Sequence, residues 1–128
     1  MDREVFKEKF GEELTNPSYD IKKIHELIEK SIKYMDKKGN VSARGNEPEA
    51  INNLIIIEEE LFELGKEISK IIRGSKINYI GLIEEMADNC LGIMYLQKIF
   101  NISNEELQAA MMVKMNRLDG EMDDGEYK

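Results

Sequence analysis

The chain has 128 residues, and its 18 Lys+Arg against 26 Asp+Glu give a net charge of −8 and a pI near 4.8. That balance speaks against non-specific binding to nucleic acid or to an anionic membrane surface. A single cysteine, Cys90, rules out an intrachain disulfide, and with only His25 beside it a structural zinc site has too few ligands. Hydrophobic residues at 41% supply enough apolar side chain for one folded domain. The opening MDREVFKEKF has no apolar signal region, and no run of about 18 apolar residues occurs. A cytoplasmic protein that does not enter the membrane is expected.

In chain order, a short helix is expected from Asp2 to Gly11, followed by cap candidates Ser18 and Asp20. Ile21, Ile24, Leu27, Ile28 and Met35 recur at helical spacing and end at Lys37, Lys38 and Gly39. GNVSARGNEPEA reads as a mobile loop, and Asn46-Glu47-Pro48 as the start of a helix running to Arg73-Gly74. After the turn GSK, a long apolar helix spans Asn78 to Phe100. Ser103 and Glu106 form a capping-box pattern opening a last helix to Leu118. No strand pattern survives. The expectation is an all-α antiparallel bundle of four to five helices, one domain over residues 1–118, with an acidic frayed tail over 119–128.

The chain supplies its own control for the meaning of paired glutamates. Glu26 and Glu29, at about 100° per residue, project away from the apolar stripe of their helix and read as a solvated face. Glu60 instead falls inside the edge of the arc formed by Ile57, Leu64, Ile68 and Ile71, with Glu63 and Glu67 at its boundary. Glu85 and Asp88, one turn apart, lie on a segment apolar nearly all round, which implies a central, buried helix. Gly81 and Gly92, nearly in line with Glu85, leave room for a ligand or a close neighbouring backbone. Antiparallel packing through GSK would bring the two pairs together. Carboxylates so placed repel one another unless a cation sits between them, and an oxygen-only set suits Mg²⁺ or Mn²⁺. Surface charge is the competing account of either pair taken singly.

The spacing Glu60-x-x-Glu63, then 21 residues, then Glu85-x-x-Asp88 resembles the ExxE…ExxD motif of the MazG-like nucleotide pyrophosphohydrolases, all-α enzymes. EEELFELGKEISKIIRG is similar to the family's first catalytic helix with its basic exit, LIEEMADNCLGIMYLQKIF to the second, and VKMNRL to its Lys-x-x-Arg ending. The resemblance covers roughly residues 45–118. It implies cleavage of a nucleoside triphosphate between the α and β phosphorus atoms, giving the monophosphate and pyrophosphate. It also implies Mg²⁺ on Glu60, Glu63, Glu85 and Asp88, with Glu59 or Glu63 taking a proton from water. Lys66, Lys114 and Arg117 would meet the phosphate tail, although surface bases on an acidic protein fit them equally well. Asn53 stands where many relatives carry Gln, as a substrate-contacting amide or a polar core residue. Asn89 stands where an apolar residue is more usual. Cys90 is expected to be a small core residue, and His25 a structural or surface one.

A second apolar stripe, Ile51, Ile55 and Phe62, runs roughly opposite Leu64 and Ile71. A helix with two apolar faces needs neighbours on both sides, so a homo-oligomer, dimer or tetramer, is expected unless the N-terminal helix covers the stripe. A helical nucleotide-binding or regulatory module without turnover is the alternative to the enzyme.

Overall fold

In the computed structural model the described residues are Glu8, Phe10, residues 20–38 and residues 51–125, with no side-chain description for 35–38. The helix expected to span Asp2 to Gly11 is therefore described only at Glu8 and Phe10, which are helical. Ser18, Met35 as a packing residue, the loop after Lys38 and the Asn46-Glu47-Pro48 start lie outside the described residues. Among the described residues there are four labelled helices and no strand: α1 Ile21–Lys38, α2 Ile51–Ile72, α3 Tyr79–Phe100 and α4 Asn104–Asp123. Among the described residues no helix is long and apolar enough to cross a membrane.

Three of the four helices start at a capping side chain. Asp20 accepts the Lys23 N–H at 3.1 Å ahead of α1. Asn78 accepts the Gly81 N–H at 3.1 Å ahead of α3. Ser103 and Glu106 complete a reciprocal capping box ahead of α4. The last helix runs beyond the expected Leu118 to Asp123, so residues 119–123 of the expected frayed tail continue the helix.

The main packing is between α2 and α3, with α1 laid against both. The pairing is antiparallel: Glu60 meets Asn89, while Ile57, one turn earlier, meets Gly92, one turn later. A Cβ on Gly92 would stand 3.4 Å from Ile57 Cγ2, so the small residue sets how closely the helices approach. The expected room beside Gly81 is taken locally. A Cβ there would come within 2.7 Å of the Asn78 amide, so this glycine serves the cap.

The core of one chain is small. Among described large apolar residues only Ile28 and Ile57 are buried, joined by Asn53 and Asn89. Several positions expected to face the core are open: Ile21 and Leu27 on α1, Ile68 on α2, and Leu91 and Ile93 on the helix expected to be buried, α3. Cys90, expected in the core, is exposed on the side of α3 turned away from α2. Thus α3, apolar nearly all round, is enclosed by the described helices mainly on one side. The second stripe of α2 is also uncovered, Ile55 at 50% and Phe62 at 65% exposure.

Candidate metal centre

Glu60 comes from α2, and Glu85 and Asp88 come from α3. One carboxylate oxygen from each lies within 4.8 Å of the others. The helical spacing expected to converge these acids does so for this trio. Glu63, one turn after Glu60, stands at the edge, exposed and paired with Lys66 at 3.2 Å. Glu59 is exposed on the solvent side of the same helix. The control pair behaves as a solvated face, with Glu29 half-exposed against Lys33 at 3.9 Å and Lys98 at 3.7 Å.

The trio is electrostatically uncomfortable. Among the described residues no Lys, Arg or His pairs with Glu60, Glu85 or Asp88. Desolvation, then the charge of Asp88 and a hydrogen bond to it, then Glu85 and Glu63, raise the Glu60 carboxyl above its ordinary range. Desolvation and the charges of Asp88, Glu63, Glu67 and Glu84, in that order, raise Glu85. Glu85 Oε2 is buried with no hydrogen-bond partner among the described residues. Such an acceptor needs a proton or a cation, and an all-oxygen set suits a hard divalent ion.

Asn89 fixes the geometry beneath the acids. Its Nδ2 donates to the backbone carbonyl of Glu60 at 3.1 Å and to that of Glu85 at 2.7 Å, tying both acid-bearing helices at the ligand positions themselves. Its Oδ1 is buried and has no partner among the described residues. Asn53 does similar work one layer along, donating to the Ile32 carbonyl of α1 at 3.4 Å.

Beside the acids opens a cavity of about 250 Å³, lined by Asn53, Ile56, Glu60, Asp88, Leu91 and Tyr95, among others. Its walls are largely apolar, and the carboxylates form one end. Asn53 is therefore both a buried helix bridge and a cavity wall. Tyr95 and Ser31 were not anticipated as cavity residues. For Tyr95 the signal was the Asp88, Leu91, Gly92, Tyr95 spacing, which aligns all four on one face of α3. Ser31 had none, because it arrives from a helix whose placement depends on long-range packing. Lys114 and Arg117 lie on α4, which has no buried residue and packs against none of the other three helices to a comparable extent. Within one chain they are not brought to the acids.

Comparison of the chain with known protein families, with curated proteins and with solved structures returned no match.

Proposed function

We propose that the protein is a Mg²⁺-dependent nucleoside triphosphate pyrophosphohydrolase, acting in the cytoplasm as a homo-oligomer and able to use Mn²⁺. The observation that carries the reading is the convergence of Glu60, Glu85 and Asp88 within 4.8 Å across two helices, without a cationic partner among the described residues. The MazG-like spacing of these acids with Glu63 supplies the reaction class. Glu60, Glu85 and Asp88 would hold the metal, with Glu63 completing the set from the rim. A bound divalent ion offsets the negative charge of the phosphates.

The chain's own residues do the remaining work. The cavity between Asn53, Ile56, Leu91 and Tyr95 offers apolar walls and polar edge groups to the nucleoside, leaving the phosphates toward the acids. Glu59 or Glu63, both exposed to solvent, takes the proton of the attacking water. The water oxygen joins phosphorus as the P–O bond between the α and β phosphates breaks, and monophosphate and pyrophosphate leave. Lys66, paired with Glu63 at the rim, would meet the phosphate tail.

Pyrophosphate release from a nucleotide panel, with Mg²⁺ and with chelator, tests the reading. Mg²⁺-dependent release supports it. Nucleotide binding without release would point instead to a binding module on the same fold.

A further inference from the structure

We propose that a second cleft, toward the C-terminal end of α3, binds a small phosphate monoester. The proposal is independent of the pyrophosphohydrolase reading. Lys98, in the wall of this cleft, lies about 15 Å along α3 from Asp88, at 1.5 Å per residue.

The cleft has a volume of about 290 Å³ and opens where α1, the last turns of α3 and the start of α4 meet. Its lining is unlike the rest of the chain. Of 26 acidic residues none lines it. Its polar walls are Lys98, His25, and the carboxamides of Gln97, Asn101 and Asn104. Each of these side chains carries an N–H donor, His25 in either protonation state. A phosphate monoester presents three strong acceptor oxygens, and lysine serves it as a point charge.

Local bonding leaves most of these donors available. Gln97 Nε2 donates to Asn104 Oδ1 at 2.9 Å and to the Ile102 carbonyl at 3.4 Å, which holds the α3–α4 turn and leaves the Asn104 NH₂ group as a donor. Lys98 pairs with Glu29 at 3.7 Å, and both side chains are about half exposed. A pair so loose and so wet is worth little, and an incoming phosphate can replace it. Of the acids in the first turn of α4, Glu106 is bound back to the Ser103 N–H at 3.1 Å.

The turn itself offers a second line of support. Asn101 closes α3 in the left-handed region, at φ 54° and ψ 47°. Glycine is the usual residue at such a helix end, with asparagine the common alternative. What asparagine adds over glycine is a carboxamide, and here it stands in the cleft wall. The volume lies just below the range of sites for drug-sized ligands, about 300–1,000 Å³. That suits a short polyol ester better than a nucleotide, with Met94 and Ile102 as apolar walls for its carbon body.

His25 is the only histidine, so its ring resonances report on the cleft directly. They are followed in the untagged, metal-free chain at fixed pH as glycerol 3-phosphate, inorganic phosphate or glycerol is added. Without a divalent ion the acid trio repels phosphates and does not compete. We expect a saturable shift with glycerol 3-phosphate, a Kd about tenfold higher for inorganic phosphate, and no shift with glycerol. In Lys98→Met the Kd for glycerol 3-phosphate should rise about tenfold, and in Asn101→Gly about threefold or more, with helix content unchanged. Glycine keeps the left-handed turn, so weaker binding in Asn101→Gly reads the carboxamide alone. No saturable shift, an equal shift with glycerol, or parental affinity in both variants overturns the site. Inorganic phosphate binding as tightly as the ester overturns the choice of ligand.

Discussion

The side-chain nitrogen of Asn89 on α3 lies 3.1 Å from the backbone carbonyl of Glu60 on α2, while donating at 2.7 Å to the carbonyl of Glu85 one turn earlier on its own helix. One amide thus holds the backbones of two candidate metal ligands in fixed relation, and the acids above it converge because of that layer. Replacing Asn89 by Leu should cost about 1–2 kcal/mol of stability, the range for losing buried hydrogen bonds while keeping the volume. Asn89→Asp should cost more at neutral pH, because a carboxylate would face two carbonyl oxygens, and should recover on acidification. Denaturant melts at two pH values check both. Equal stability of parent and both variants would contradict the role given to Asn89.

Glu60 and Glu85 hold their protons more tightly in the folded chain than ordinary carboxylates do. Between the ordinary range and the raised values the unfolded chain binds fewer protons, so these groups lower the stability of metal-free protein as pH rises through that window. Thermal melts in chelator from about pH 4 to 8 should show Glu60→Gln with a shallower loss than the parent, and equal or greater stability at the upper end. Added Mg²⁺ or Mn²⁺ should stabilise the parent above the window more than the variant. A variant as pH-sensitive and metal-responsive as the parent would count against the cluster.

Two glycines make a contrasting pair. Gly81→Ala pushes a Cβ into the Asn78 amide and should cost about 1 kcal/mol through loss of the cap. Gly65→Ala meets nothing within 4 Å on the exposed face of α2 and should add about 0.5–1 kcal/mol by helix propensity. Denaturant midpoints of opposite sign are the expected result.

The uncovered residues Ile55, Phe62, Met86 and Ile93 on α2 and α3 predict a dimer or tetramer at micromolar concentration. Light scattering checks it, and a monomer mass would contradict it. Phe62→Glu should shift the protein toward smaller species.

How much of this was legible beforehand follows from the reach of each signal. Helical periodicity and caps act within one or two turns, so α1 to α4 and the Ser103 capping box could be read from spacing. The convergence of Glu60 with Glu85 and Asp88 was legible because antiparallel packing across a short turn leaves little choice of register. Whether a side chain is covered depends instead on neighbours distant in sequence or on another chain. Hence Cys90, Leu27 and Ile68 were expected inside and stand exposed, and Ser31 was not foreseen at the cavity. Asn89 was visible only as an oddity. That its amide reaches the carbonyl of Glu60 is a property of the packed pair.

The most direct measurement is pyrophosphate release from nucleoside triphosphates by the parent, Glu60→Gln and Asp88→Asn, each with Mg²⁺ and with chelator. The expected result is Mg²⁺-dependent release by the parent and a fall of about 100-fold or more in both variants, equivalent to about 3 kcal/mol of barrier, with helix content unchanged. Parental rates in both variants, or no release by the parent on any nucleotide, would contradict it.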